Sequence, residues 1–159
     1  MTKPKVENNG LKIVATNRKA RRDYAIDETV EAGIALLGTE VKSLREGKAS
    51  LADGYVQFEE GEAYLVAVHI AEYSFGNRFN HQPTRKRKLL LHKLEIRRLI
   101  GKVRERGLSL IPLQIYFRRG RAKVLLGLGK GKRAYDKRED IKRRDEQREI
   151  RREIKGRSR

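Results

Sequence analysis

The chain has 159 residues, 39 of them Lys or Arg against 21 Asp or Glu, for a formal charge of +18. It contains no cysteine, which excludes disulfides, thiolate catalysis and Cys-based zinc sites, and no stretch approaches the ~18 apolar residues of a membrane span. Such a charge attracts nucleic acid or anionic lipid, and the length with a 38% apolar share suits one compact cytoplasmic domain with appendages.

Residues 1–10, with Pro4 and the Asn8-Asn9-Gly10 turn signal, read as a flexible leader, and order is expected from about Leu11. From Thr29 to Leu37, Val30, Ala32, Ile34 and Leu36 alternate with Glu31, Gly33 and Ala35, the pattern of a half-buried strand with Glu31 on its outer face. Thr39 to Gly47 spaces Val41 and Leu44 by three and ends in glycine, which predicts a short helix. Strands are predicted over Tyr55 to Glu59 and Ala63 to Ile70, around a turn at Glu60-Gly61-Glu62. Gly76 to Lys88 has no apolar period and reads as a loop.

From His92 to Arg106 the apolar positions Ile96, Leu99, Ile100 and Val103 fall at helical spacing among basic residues, an amphipathic helix closed by Gly107. Leu110 to Phe117 and Ala122 to Leu128 form a last strand pair around Arg119-Gly120-Arg121, with Ile115 and Phe117 facing Val124 and Leu126. The fold class expected is mainly β with short helices. Short strands with an inserted helix suit a small, partly open barrel of the oligonucleotide-binding type, although periodicity alone does not separate barrel from sandwich.

Lys130 to Arg159 carries 14 basic and 7 acidic residues and only three isoleucines, Ile141, Ile150 and Ile154. The segment has too little to bury, so the RNA-binding domain is expected over residues 11–129 and residues 130–159 form a basic tail, disordered when free. Asp136 with Glu139 resembles a capping box, and the pairs Glu139–Arg143 and Asp140–Arg144 each support a helix by ~0.3 kcal/mol, short of the cost of nucleating one in water. Helix is therefore expected where phosphates surround the tail.

Signals of catalysis are poor. His69, His81 and His92 lack metal-ligand spacing, and His69, at the end of an apolar strand, reads as an ordinary packed ring. No catalytic residue, metal or cofactor is expected. Gly127 to Arg133 lacks the spacing of a nucleotide-hydrolysing phosphate loop; it either lets the backbone approach nucleic-acid phosphates or is a solvated linker. Two further basic clusters point to RNA: Arg85 to Arg106, with ten Lys/Arg and two acids, and Arg18-Lys19-Ala20-Arg21-Arg22 beside Tyr24, a ring able to stack on unpaired bases.

Several segments in order resemble one family: Asn17-Arg18-Lys19-Ala20 with Asp23-Tyr24, Glu28 to Ile34, Gly38 to Arg45, Arg87 to His92, Gly129 to Lys132, and Tyr135 to Arg138. Together they are similar to the SsrA-binding protein (small protein B) family of bacterial trans-translation. The resemblance implies an oligonucleotide-binding barrel that grips the tRNA-like domain of transfer-messenger RNA (tmRNA, the SsrA RNA) and escorts it, as a monomer in place of an anticodon arm, to stalled ribosomes.

It implies RNA contacts at Asn17, Arg18, Lys19, Tyr24, Glu31, Leu91 and Lys93. It also implies that Lys130, Lys132, Arg133, Tyr135, Asp136, Lys137 and Arg138 enter the decoding centre and message channel. Arg22 and Tyr135 stand where many relatives have histidine, so no titrating imidazole acts there. An outward Glu31 on so positive a chain makes sense as an acceptor for base amino groups, whereas Leu91 could pack under an unstacked base but by sequence alone reads slightly more readily as core. A structural ribosomal protein is the alternative that composition leaves open. A membrane-surface role is disfavoured because the tail lacks a Trp/Phe/Leu face.

Overall fold

The computed structural model describes residues 11–76, 78–132 and 134–157, and of residues 134–137, 139–140 and 157 the backbone alone. The expected leader at residues 1–10 lies outside the described residues. Nine strands and four helices follow in the described chain: β1 (Leu11–Thr16), α1 (Arg18–Asp23), β2 (Tyr24–Ile34), α2 (Gly38–Arg45), β3 (Ala49–Ser50), β4 (Tyr55–Glu59), β5 (Glu62–Val66), β6 (His69–Ile70), β7 (Arg87–Leu90), α3 (Lys93–Arg106), β8 (Ser109–Arg118), β9 (Arg121–Gly131) and α4 (Ala134–Arg157). None of the described helices is long and apolar enough to cross a membrane.

Seven strands form one antiparallel sheet in the order β1-β8-β9-β2-β7-β5-β4, and β3 pairs with β6 apart from it. The sheet is held by long ladders: Tyr24 to Gly33 pairs with Gly131 back to Lys123, and Ser109 to Arg118 with Gly129 back to Arg121. Both tight hairpins use an X-Gly pair at positive φ, Glu60-Gly61 (49° and 75°) and Arg119-Gly120 (51° and 76°). That left-handed geometry matches the twist of the flanking strands. Pro112 interrupts β8 at a register shift, the one kind of place where an inner strand tolerates a missing N–H.

One face of the sheet carries the main core, with Val30, Ala32, Leu65, Leu89, Ile115, Val124 and Leu126 all buried. Helix α3 adds Leu99 and part of Val103, and its run ends at Gly107 in left-handed conformation. Leu44 from α2 is fully buried in the same core. Asn80 and His81 fasten the chain between β6 and β7. The His81 ring is buried between the Thr39 hydroxyl, 2.9 Å away, and the Ile70 carbonyl, also 2.9 Å away.

Several expectations need correction. The fold is mixed α/β rather than mainly β with short helices, because α3 runs for 14 residues and α4 for 24. The expected Ala63–Ile70 strand divides at Ala67, whose φ of 59° turns the chain out of the sheet, so His69 is exposed and His81 is the packed imidazole. Arg87 and Lys88 belong to β7 rather than to a loop; α1 and β3 are too short to carry a period, and β1 does not alternate because its register shifts between Ile13 and Ala15. Phe117 lies opposite Ala122, although Ile115 does face Val124.

Residues 127–131 are neither a linker nor a phosphate cradle. They are the last rungs of β9, and a Cβ on Gly129 would sit 2.2 Å from the Ala25 carbonyl oxygen, so the glycine serves strand approach. The tail, expected to be disordered in the free chain, is helical over Ala134–Arg157. Arg, Lys, Glu and Gln favour helix, and oppositely charged residues four apart add to it.

Candidate nucleic-acid interface

Strands β2 and β7 pair through Gly33 opposite Leu90, and a side chain at Gly33 would meet Leu90 at 3.1 Å. The missing side chain lets Leu90 lie over β2, where it floors an open groove of about 480 Å³ lined also by Glu31, Lys88, Leu91, Lys93 and Lys123. Leu90 is 55% exposed, and Leu94, in the first turn of α3, is 77% exposed. Leu91 is half-buried and packs partly on the core, so both readings of it hold in part.

The Glu31 carboxylate does stand on the outer face of β2, yet it is not idle. It accepts from the Tyr116 hydroxyl and pairs with the Arg118 guanidinium at 3.0 Å. Burial, then the hydrogen bond to Glu31 and the charge of Glu31, push the Tyr116 phenol up to about 12. Tyr116 therefore stays protonated and keeps donating, which fixes the carboxylate in orientation while leaving it solvent-exposed. The groove combines an oriented acceptor, an apolar floor and lysines at its rim.

Helix α1 presents a second basic surface. Asn17 caps it: its Oδ1 accepts from the Ala20 amide at 3.1 Å, and its Nδ2 donates to the carbonyls of Pro112 (2.9 Å) and Leu51 (3.1 Å). With 6% exposure, Asn17 is a structural clamp rather than an RNA-facing group, since its amide is already spent within the protein. Arg18, Lys19, Arg21 and Arg22 are all exposed on the helix it starts, while Ala20 is buried against Ile111 and Leu113. Tyr24 is half-buried beside Lys19 in a second cleft of about 410 Å³ that also includes Asp23, Asp53 and Tyr55.

The basic run at Arg85 to Lys88 is largely neutralised from within. Arg87 has no exposure; it pairs with the equally buried Glu40 and donates to the carbonyls of Val68 (2.9 Å) and Pro83 (3.0 Å). Arg85 also binds Glu40, Lys86 pairs with Glu59, and Lys88 lies 3.7 Å from Glu62. On α3, Arg98 and Lys102 both reach Glu28, and these two hydrogen bonds hold its carboxyl below the usual carboxylate value.

Residues 14–156 match the family described as SmpB protein. The chain belongs to the SmpB family. It is 62% identical over 148 residues to the SsrA-binding protein of Moorella thermoacetica, covering 92% of this chain and 96% of the relative. It is 58% identical over 152 residues to the SsrA-binding protein of Lactobacillus helveticus, covering 96% and 97%. A solved structure described as "tmRNA-SmpB: a journey to the center of the bacterial ribosome" is similar with a TM-score of 0.64 and 60% identity, over 76% of this chain and 85% of that one.

In this SmpB-family chain the residues expected in the tail divide between body and helix. Lys130 is an exposed residue of β9 opposite Ala25, and Lys132 is held to the body by its amide, which donates to the Asp23 carbonyl at 2.8 Å. Arg133 lies outside the described residues. Tyr135, Asp136, Lys137 and Arg138 fall on the first turns of α4, where the Arg138 side chain alone of these is described, and it is exposed.

Leu90, Leu94, Tyr116, Arg118 and Lys123 escaped the sequence reading. Leu94 carried a usable signal, because it is out of phase with Ile96, Leu99 and Val103 and so cannot share their buried face. Tyr116 and Arg118 carried none: only the β1-β8-β9-β2 order brings them across to Glu31.

Proposed function

We propose that this protein is a non-enzymatic RNA-binding adaptor. Its body holds the tRNA-like domain of tmRNA, and its C-terminal helix enters the vacant decoding centre and message channel of a stalled ribosome, so that trans-translation can tag the nascent peptide. The observation that carries the reading is the groove between β2 and β7, with Glu31 as oriented acceptor, Leu90 and Leu91 as apolar floor, and Lys88, Lys93 and Lys123 at the rim. Unpaired bases present amino groups and flat apolar faces, and the phosphates between them seek cations. Membership of the SmpB family, and relatives described as SsrA-binding proteins, support the choice of RNA.

In this reading the curled sheet works as an open barrel of the oligonucleotide-binding type, with Arg18, Lys19 and Tyr24 widening the contact and Asn17 holding them in place. Lys130 and Lys132 belong to the body, and the ribosome-directed role falls to the residues that follow, Arg133 and the first turns of α4 with Tyr135, Asp136, Lys137 and Arg138. The protein acts in the cytoplasm as one copy per RNA. The test is truncation after Lys132, which keeps every rung of β9. Affinity for the tRNA-like domain should stay within about threefold of the full chain, as expected when no phosphate or base contact is lost, while peptide tagging on stalled ribosomes is abolished. Loss of most RNA affinity in the truncated protein would refute the division of labour.

A further inference from the structure

Between β6 and β7 the chain leaves the sheet in a loop that carries the two most exposed large apolar side chains described, Phe75 at 83% and Phe79 at 78%. Single exposed apolar residues are ordinary on protein surfaces. Here, however, the loop is fastened around them. The Asn80 side chain donates to the Tyr73 carbonyl at 2.7 Å and accepts from the Tyr73 amide at 3.2 Å. Gly76 donates to the same carbonyl at 2.9 Å and packs so tightly that a Cβ would stand 2.5 Å from the Asn80 amide nitrogen. The Ser43 hydroxyl holds the Ala71 carbonyl at 2.6 Å.

Cations accompany the rings. Lys42 lies 5.5 Å above the Tyr73 ring, Arg78 lies 5.4 Å from the Phe79 ring, and Lys48 reaches the Ser74 hydroxyl at 3.4 Å. Tyr73 and Phe75 meet edge to face at 5.7 Å. Glu72 is the one acid between Ala71 and His81. Pre-set aromatic faces beside positive charge are the requirements for stacking unpaired bases while neutralising their phosphates. Lys48 is already paired with Glu46 at 3.2 Å, but a purely apolar partner would leave Lys42 and Arg78 without a counter-charge.

We propose that the 71–80 loop is a second base-stacking element for the same tmRNA, taking unpaired bases on Phe75 and Phe79. The inference rests on the reading of the β2–β7 groove as the tmRNA site. Continuity assigns the RNA: the chain runs from this loop into β7, which ends at Leu90 on the groove floor. The root of the tail lies the other way. Gly131 pairs with Tyr24 at the start of β2, whereas the loop is held on α2, which follows Ile34, so the 11 residues of β2, about 35 Å of strand, run from one toward the other.

The chain has no tryptophan, so Phe75→Trp creates a lone fluorescent reporter at an exposed position, and Phe79→Trp provides a second. Each is titrated with the dye-labelled tRNA-like domain of tmRNA, following anisotropy for binding and indole emission for stacking. Emission should be quenched with the same midpoint as the anisotropy rise, and the Phe75→Leu/Phe79→Leu protein, apolar but without rings, should bind about fivefold or more weakly at unchanged melting temperature. A rise in anisotropy with unchanged emission from both reporters, or a smaller loss in the double leucine variant, overturns the proposal. So does quenching by vacant small ribosomal subunits in place of tmRNA. If the parent protein itself gives no anisotropy rise, the tmRNA reading fails first and this one with it.

Discussion

The Glu40 carboxylate and the Arg87 guanidinium lie against each other with no solvent exposure, and Glu40 also takes the Leu37 amide at 2.8 Å and Arg85. Burial alone would raise the Glu40 carboxyl, but the hydrogen bonds from Arg85, Leu37 and Arg87 and the Arg87 charge outweigh it and hold the group below its solvated value. Replacing one partner of such a pair strands the other, so Glu40→Gln should cost about 3–5 kcal/mol in urea unfolding, since the Arg87 charge stays buried. Because the folded carboxyl is depressed, its contribution is present above 4.5, the solvated value, and is lost as pH falls through the lower folded value. The stability gap between parent and variant should therefore narrow below pH 4.5; a gap that holds constant through the acid range would show that Glu40 does not carry this pH dependence.

At the scale of elements, β9 is held by long ladders to both β2 and β8, and the end of its ladder with β2 is crowded at Gly129. Gly129 has no room for a side chain against Ala25, whereas the nearest atom to a Cβ on Gly131 is a Tyr24 ring carbon 3.9 Å away. Gly129→Ala should destabilise the fold by about 1–3 kcal/mol through forced backbone shifts, and Gly131→Ala should be nearly neutral, in thermal melts of the two variants. Equal melting temperatures would mean that residues 127–131 are not held as strand. Helix α4 is the opposite case: its described side chains from Ile141 to Gly156 are all exposed, so it borrows little from packing.

For the whole molecule, the +18 charge is not spread evenly in effect. Ion pairs absorb Arg85, Lys86, Arg87, Arg98, Lys102 and Arg118, leaving Arg18, Lys19 and Arg21 on α1 and, around the groove, Lys93, Lys123 and Lys88, whose 3.7 Å contact with Glu62 is the longest of the described ion pairs, as the six cations of these two surfaces placed to meet phosphate. If all six do so, the plot of log affinity for the tRNA-like domain against log salt should have a slope of about −4 to −5. Alanine at both Lys93 and Lys123 should make it shallower by roughly 1.5, whereas alanine at Arg98 and Lys102 should leave it unchanged. A slope near zero in the parent would show that phosphate contacts do not carry the affinity.

Composition alone bounded the class, a cysteine-free, strongly basic chain, and local pattern located α2, α3 and the two hairpins. Those elements follow from neighbours within a few residues: the Val41–Leu44 spacing, the Gly107 stop, and the X-Gly pairs at 60–61 and 119–120. What each charge does was decided elsewhere. Arg87 and Lys88 are adjacent in sequence, yet one is sealed in the core and the other faces solvent, because a strand turns successive side chains to opposite faces. Glu31 meets Tyr116 across 85 positions and Arg87 meets Glu40 across 47. Contacts that distant exist only once the sheet order is set, so the oriented carboxylate, the buried ion pair and the hold of the Asn17 amide on the Leu51 and Pro112 carbonyls belong to the tertiary structure.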